Sequence, residues 1–308
     1  MSLRVVFMGS PYFAVPTLGA LHRNFDVLGV ITQPDKPRGR GRKSVPTDVK
    51  VAAIGLGAPV AEPSSLSGPD ALGLLEEWAP DVIVVVAYGK ILPRTVLDLP
   101  RMGCVNLHAS LLPRHRGAAP ISAAILAGDE TTGVTTIAMD AGMDTGDILL
   151  QRQVAIHPGD TAGTLHDKLM APGADLVVET LVGMAAGEIT PVPQDHSKAT
   201  YTRPLSKEDG RMDWGRDAEY LSRLVRAVNP WPGAFFELGD ERIKVWEAVP
   251  EAGSGIPGRV EALRPDGIVV AAGKGVLVLK EVQAPGRKRL GAAELARGHR
   301  LQVGTEFA

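Results

Sequence analysis

Residues 81–87, Asp-Val-Ile-Val-Val-Val-Ala, make an unbroken apolar run that reads as a strand buried on both faces. Such a strand needs packed layers above and below it, which commits the chain to an α/β architecture. Runs of the same kind occur at Leu3 to Met8 and Val27 to Thr32, and a shorter one ends at Leu107. Helical patterns separate them: one carries Val15, Leu18 and Leu21, and others span 47–56 and 68–78. Gly133 to Met139 adds a strand, and Ile148 to Ile156 alternates as an edge strand or hairpin does. Asp160-Thr161 then caps a long helix with Leu165, Leu169, Leu176, Val177 and Leu181 on its apolar stripe, and Pro172-Gly173 is expected to interrupt or bend it. The repeating βα pattern predicts a Rossmann-like, doubly wound, mostly parallel sheet.

Around residues 187–205 the pattern changes to prolines mixed with Gln, Asp, His and Ser, which reads as an extended linker. Beyond it come an amphipathic helix over 218–228 and, from Ala234 to Glu281, short strands separated by Gly, Pro and Asp. That is the pattern of a small β-barrel or sandwich. The expected organisation is therefore a domain over 1–186, a linker over 187–205 and a second domain over 206–308.

Composition excludes several classes. A formal charge of −2 gives no global nucleic-acid signature, so RNA contact must come from local patches. The single cysteine, Cys104, rules out a disulfide framework and reads as an inert buried thiol. The chain enters a strand at once, without a signal-peptide core, and no run reads as long enough to span a bilayer. A cytoplasmic protein without a membrane partner is expected, and nothing in the sequence demands a second copy, so a monomer is expected too. The seven histidines and one cysteine show no metal-ligand spacing.

The chemistry concentrates where β-strands end. Asn106 and His108 fall at the carboxyl end of a strand, where α/β folds bind ligands, and residues two apart on a strand face one side. An amide and an imidazole facing one spot suit a carbonyl oxygen that gains charge. The polar loop from Met139 to Asp147 can supply the imidazole with a carboxylate, and Asp140, Asp144 and Asp147 compete for that role. No G-x-G-x-x-G follows the first strand, so a dinucleotide lacks its usual seat. Lys36 to Lys43 holds five positive charges in eight residues with two glycines, either a solvated loop or a cationic arm for a phosphate backbone. From Lys207 onward 16 basic residues face 15 acidic ones, with a local excess at Arg287-Lys288-Arg289.

Asn106-Leu-His-Ala-Ser-Leu-Leu-Pro113, followed by Asp144-Thr-Gly-Asp147, resembles the signature of the 10-formyltetrahydrofolate-dependent formyltransferases. Arg114-His-Arg-Gly-Ala-Ala-Pro-Ile121, Gly9-Ser-Pro-Tyr-Phe13, Thr32-Gln-Pro-Asp35, Ala87-Tyr-Gly-Lys-Ile-Leu-Pro93 and Asn229-Pro-Trp-Pro-Gly233 narrow it to the branch whose acceptor is initiator Met-tRNA. The resemblance implies direct formyl transfer without a covalent nucleophile, by Asn106, His108 and Asp144, with tetrahydrofolate as product and no metal. It implies folate contacts at Ser110, Leu111, Leu112, Pro113 and Tyr88. It also implies tRNA contacts at Lys36, Arg38, Arg40, Arg42 and Lys43, and makes the second domain an oligonucleotide-binding (OB-like) barrel, where Arg287, Lys288 and Arg289 are candidates. His115 departs from the pattern, which has a larger aromatic there. Formyltransferases of amino sugars or of a purine-precursor amine share the Asn-His-Asp set, and a non-catalytic folate- or RNA-binding module is the rival from another class.

Overall fold

The computed structural model describes residues 2–38 and 43–308. The chain divides into two compact units, one of 1–117, 131–155 and 166–202, the other of 118–130, 156–165 and 203–308.

The first unit is built on a seven-stranded sheet. Its strands are β1 (Arg4–Gly9), β2 (Asp26–Ile31), β5 (Val60–Ala61), β6 (Val82–Val86), β7 (Cys104–His108), β9 (Thr131–Ala138) and β10 (Ile148–Ala155). Their spatial order is β10-β9-β7-β6-β1-β2-β5. The five from β5 to β7 run parallel, and β9 is antiparallel to both of its neighbours. Every residue of β6 is buried, as its uninterrupted aliphatic run requires. Helices α1 (Val15–Asn24), α2 (Asp48–Gly55), α3 (Pro69–Trp78) and α4 (Arg94–Leu97) form the crossovers. Leu66, Leu75, Tyr88, Val96 and Leu97 share a core with Val6, Met8, Ile83 and Val85 of the central strands. Cys104 belongs to that core, and burial pushes its thiol up to about 12, so it is not a nucleophile near neutrality.

Two short pairings complete the unit: β3 (Lys36–Arg38) with β4 (Lys43–Val45), antiparallel, and β8 (Arg116–Gly117) with β11 (Tyr201–Thr202), parallel. The long helix α6 (Ala162–Ala186) runs unbroken through Pro172-Gly173, so of the interruption or bend expected there the interruption does not occur. A proline forfeits one helical hydrogen bond, but Leu169, Leu176, Val177 and Leu181 around it are at most 2% exposed. Gly173 also has a packing reason, since a Cβ there would lie 2.8 Å from a Leu107 methyl on β7. Against the expectation that no run is long enough to span a bilayer, α6 is long and apolar enough to cross a membrane by length and composition. Its Thr180 hydroxyl nevertheless bonds that of Thr136 on β9 at 2.8 Å, which ties the helix face to the sheet.

The second unit holds an antiparallel sheet ordered β12-β13-β16-β15-β14: β12 (Ala234–Leu238), β13 (Glu241–Glu251), β14 (Val260–Arg264), β15 (Gly267–Ala271) and β16 (Val276–Gln283). The short β17 (Leu290–Gly291) pairs with β16. Strand β13 pairs first with β12 and then with β16, and register shifts between Val245 and Ala248 add twist where it changes partner. One apolar core joins Phe236, Ile243, Val245, Val270 and Leu279 of this sheet to α7 (Ala218–Ala227) and α8 (Ala292–Gly298). Helix α7 presents Leu221, Leu224 and Val225 to that core, at the i, i+3, i+4 spacing of an amphipathic helix, and Asp217 caps its first turn at the Tyr220 N–H. Helix α5 (Pro120–Ala127) belongs to this unit as well: Leu126 packs on the core and its carbonyl accepts from Arg223 Nε of α7 at 3.1 Å.

Candidate active site

Strand order reverses between β1 and β6, and the loops leaving their carboxyl ends converge, as doubly wound sheets favour for ligands. Ser10 Oγ and Gln33 Nε2 both donate to the Tyr88 carbonyl, at 3.4 and 2.7 Å. Next along the sheet, β7 carries Asn106 and His108 in its last three residues. Asn106 is half-buried, and its carboxamide makes no hydrogen bond to any described residue. His108 is buried to 6% exposure.

Both nitrogens of the His108 ring have partners. Nε2 lies 2.9 Å from the His115 carbonyl, which only accepts, so Nε2 carries a proton. Nδ1 faces Asp144 Oδ2 at 3.5 Å. The same Oδ2 accepts the Gly117 N–H at 2.8 Å, which fixes the carboxylate against the ring. Asp144 sits in the left-handed region at φ 54°, which Asp tolerates better than most residues. Asp140 instead braces its own loop, accepting from the Gly142 N–H and the Thr145 hydroxyl. Of the three aspartates that compete in the sequence, only Asp144 pairs with His108.

Behind this pair lies a buried polar system that sequence reading does not find. Arg116 is fully buried. Its guanidinium donates to Gln194 Oε1 from Nε (3.1 Å) and Nη2 (2.6 Å), to the Tyr201 hydroxyl (3.1 Å) and to His196 Nδ1 (3.1 Å). Gln194, 5% exposed, donates in turn to the carbonyls of Asp144 at 2.9 Å and Gly146 at 2.6 Å. Arg116 stands in the quoted motif and was open to notice, but Gln194 sits in a polar, proline-rich stretch with no signal of its own.

The turn after β7 has a cis Leu112–Pro113 peptide. Thr135 holds it from below, its hydroxyl donating to the Ser110 carbonyl at 2.6 Å and accepting the Leu112 N–H at 3.2 Å. Gln151 Nε2 donates to the Leu112 carbonyl at 2.9 Å. Ser110 is fully buried and its hydroxyl donates to the Arg114 carbonyl, while Leu112 is 3% exposed. Leu111 and Pro113 are the half-exposed members of the turn. Tyr88 is 1% exposed and lies in the core, its hydroxyl buried without a partner among the described residues, and burial raises its pKa. Among the described residues, no group of three or more His, Cys, Asp or Glu is arranged to hold a metal ion.

Of the cationic segment, Lys36, Arg38 and Lys43 lie on the β3–β4 hairpin, where Arg38 pairs with Lys43 in register; Arg40 and Arg42 fall outside the described residues. In the second unit the Arg289 guanidinium lies 3.6 Å over the Trp246 ring and 3.5 Å from Glu281. Lys244 Nζ approaches the same ring at 5.4 Å, and Trp246 donates its N–H to Gln283. Arg287 and Lys288 are exposed, and their side chains pair with no described residue.

Comparison with known proteins agrees over both units. Residues 3–181 match the family model described as formyl transferase, and residues 204–300 match the formyl transferase C-terminal domain. The chain is 46% identical over 303 residues to a methionyl-tRNA formyltransferase of Citrifermentans bemidjiense, covering 98% of this chain and 95% of that one. It is 49% identical over 306 residues to one of Aromatoleum aromaticum, covering 99% and 97%. Among solved structures, methionyl-tRNA formyltransferase from Clostridium thermocellum aligns with a TM-score of 0.55 at 17% identity over 81% of this chain and 94% of that one. HypX from Aquifex aeolicus in complex with tetrahydrofolic acid aligns with a TM-score of 0.65 at 19% identity over 98% of this chain and 48% of its own. At those identities the two structures speak for the fold.

Proposed function

The chain belongs to the methionyl-tRNA formyltransferases of the formyl transferase family, and from that premise we propose how its residues divide the work. The reaction moves the formyl group of 10-formyltetrahydrofolate to the α-amino group of methionine on initiator Met-tRNA. A bond forms between the amine nitrogen and the formyl carbon, and the bond from that carbon to N10 breaks. One proton leaves the amine and one reaches N10. The observation that carries the assignment is a buried imidazole braced by a carboxylate, two residues after a carboxamide with no partner among the described residues.

In this reading Asn106 donates an amide N–H to the formyl oxygen as charge builds there. His108 supplies the second donor, using the ring proton that the His115 carbonyl otherwise accepts. Asp144 orients the ring and, through a water, takes the proton of the attacking amine. Leu111 and Pro113 line the apolar side of the folate pocket, while Ser110, Leu112 and Tyr88 shape it from within. The β3–β4 arm with Lys36, Arg38, Arg40, Arg42 and Lys43 holds tRNA phosphates, and Arg287, Lys288 and Arg289 beside Trp246 give the second unit a basic, aromatic surface for the same RNA. Since charged tRNA is a cytoplasmic substrate, the protein acts there, as a monomer.

The test is a transfer assay with 10-formyltetrahydrofolate and three acceptors: initiator Met-tRNA, free methionine and an amino-sugar nucleotide. Formylation of Met-tRNA alone is expected. Efficient transfer to the amino sugar would leave the Asn106, His108 and Asp144 roles intact and overturn those of the arm and the second unit. Substituting alanine for Arg38, Arg40, Arg42 and Lys43 together is expected to raise KM for Met-tRNA by about 10-fold or more, leaving the folate KM alone. The slope of log affinity against log salt should flatten by about one for each phosphate the arm no longer holds. Unchanged KM and slope would reduce the arm to a solvated loop.

A further inference from the structure

We propose that Arg116 and Gln194 are positioning residues for formyl transfer, acting through the backbone of Asp144; the proposal rests on the catalytic reading of Asp144. A guanidinium with no exposed surface is an expensive thing to bury, and no carboxylate among the described residues pairs with it. Its acceptors are neutral: an amide oxygen, a phenol and an imidazole nitrogen. An apolar side chain of similar volume is often as stabilising as a buried ion, or more so, so stability alone is a poor account of this arginine. What four directed hydrogen bonds supply is orientation.

The orientation reaches the active site by a short route. Two guanidinium donors converge on Gln194 Oε1, so the amide cannot flip. Its NH2 group must then point the other way, at the carbonyls of Asp144 and Gly146. A flipped amide would set Oε1 against both carbonyl oxygens. Clamped on either side of Thr145, the loop holds Asp144 at φ 54°, and this puts Oδ2 between the Gly117 N–H and His108 Nδ1. The chain on each side of Arg116 serves the same end: the His115 carbonyl accepts from His108 Nε2, and Gly117 N–H donates to Asp144. Pairing of β8 with β11 anchors the three residues, with Arg116 N–H donating to the Thr200 carbonyl at 2.8 Å and the Thr202 hydroxyl donating to the Arg116 carbonyl at 3.1 Å.

Gln194→Glu tests the clamp. The carboxylate still accepts from Arg116, so the buried cation keeps its partner. Its second oxygen has no N–H for the two loop carbonyls and faces them with like charge, so Asp144 loses its clamp. The expected result is a kcat lower by on the order of 30- to 100-fold, with KM for folate and for Met-tRNA within about two-fold of wild type. A change that merely loosened the fold would move both KM values as well. The same substitution is then made in an Asp144→Ala background, with rates taken under single-turnover conditions. If Gln194 works through Asp144, it has no further effect there. An equal loss in both backgrounds, or folate KM rising in step with the fall in kcat, overturns the proposal. Wild-type turnover in Asp144→Ala alone would remove the catalytic reading itself. A large loss in Asp144→Ala beside an unaffected Gln194→Glu would sink only the positioning role. Should Gln194→Glu not fold, the double variant Tyr201→Phe/His196→Ala removes two acceptors of Arg116 at exposed positions. A several-fold fall in kcat at constant KM is then expected, and an unchanged kcat overturns the proposal.

Discussion

Alanine at His108 is expected to lower the rate of formyl transfer by about 1000-fold or more while the protein still binds folate and Met-tRNA. Loss of one oxyanion donor commonly removes about 100- to 1000-fold, and loss of proton-transfer assistance about 100- to 10,000-fold. The imidazole is assigned the donor role and is the ring against which Asp144, the proposed proton acceptor, is held, so its loss touches both; it stands between the His115 carbonyl and Asp144. Binding is spared because the ring, at 6% exposure, offers little surface to either substrate. The variant removes the ring donor from the buried His115 carbonyl, so a modest fall in Tm is expected beside the loss of rate. Single-turnover rates and equilibrium binding on one preparation check this. Turnover within about ten-fold of wild type would end the catalytic assignment of His108.

Gly117→Ala is expected to damage stability and rate together. Its φ of 104° lies in the region that disfavours a side chain, and a Cβ there would come within 2.2 Å of the Thr202 carbonyl oxygen on β11. Neither side can relax freely, because β8 and β11 pair through Arg116 and Gly117. Backbone strain alone is worth about 1–3 kcal/mol, and separating the strands adds to it. The Gly117 N–H also holds Asp144 Oδ2, so a displacement of about 1 Å reaches the carboxylate and costs kcat on the order of 100-fold. Thermal unfolding and kcat measured side by side test it. An alanine variant with the original Tm and kcat would mean that this pairing yields without consequence.

How legible all this was in the sequence differs from element to element. The run at 81–87 announced a strand buried on both faces because β6 lies between parallel neighbours under helices, and burial on two sides erases alternation. Asn106 and His108 could be put at a strand end from local pattern alone. Choosing Asp144 could not be done that way: Asp140, Asp144 and Asp147 are chemically equal, and what separates them is loop geometry, with Asp140 turned onto Thr145 and Asp144 turned onto His108. Gln194 was out of reach because its partners lie 50 and 78 residues away, and a polar residue among prolines looks like any loop. Of the interruption or bend expected at Pro172, the interruption does not occur, because buried neighbours on both sides outweigh one missing hydrogen bond.

The division of the chain falls inside its most informative stretch. Residues up to Gly117 belong to the first unit, and from Ala118 the chain enters the second, returns to the first at Thr131, leaves it again at Ile156 and comes back at His166. Helix α5 therefore leaves the ribosome well before the helix it packs against, since the Leu126 carbonyl and its donor Arg223 are 97 residues apart. The second unit cannot close until nearly all of the chain has been made. A cut in the polar stretch near residue 187 would not yield two self-sufficient halves either, because the N-terminal piece would carry α5 away from α7. The two units of this enzyme are interleaved along the chain and so must be synthesised, folded and inherited together.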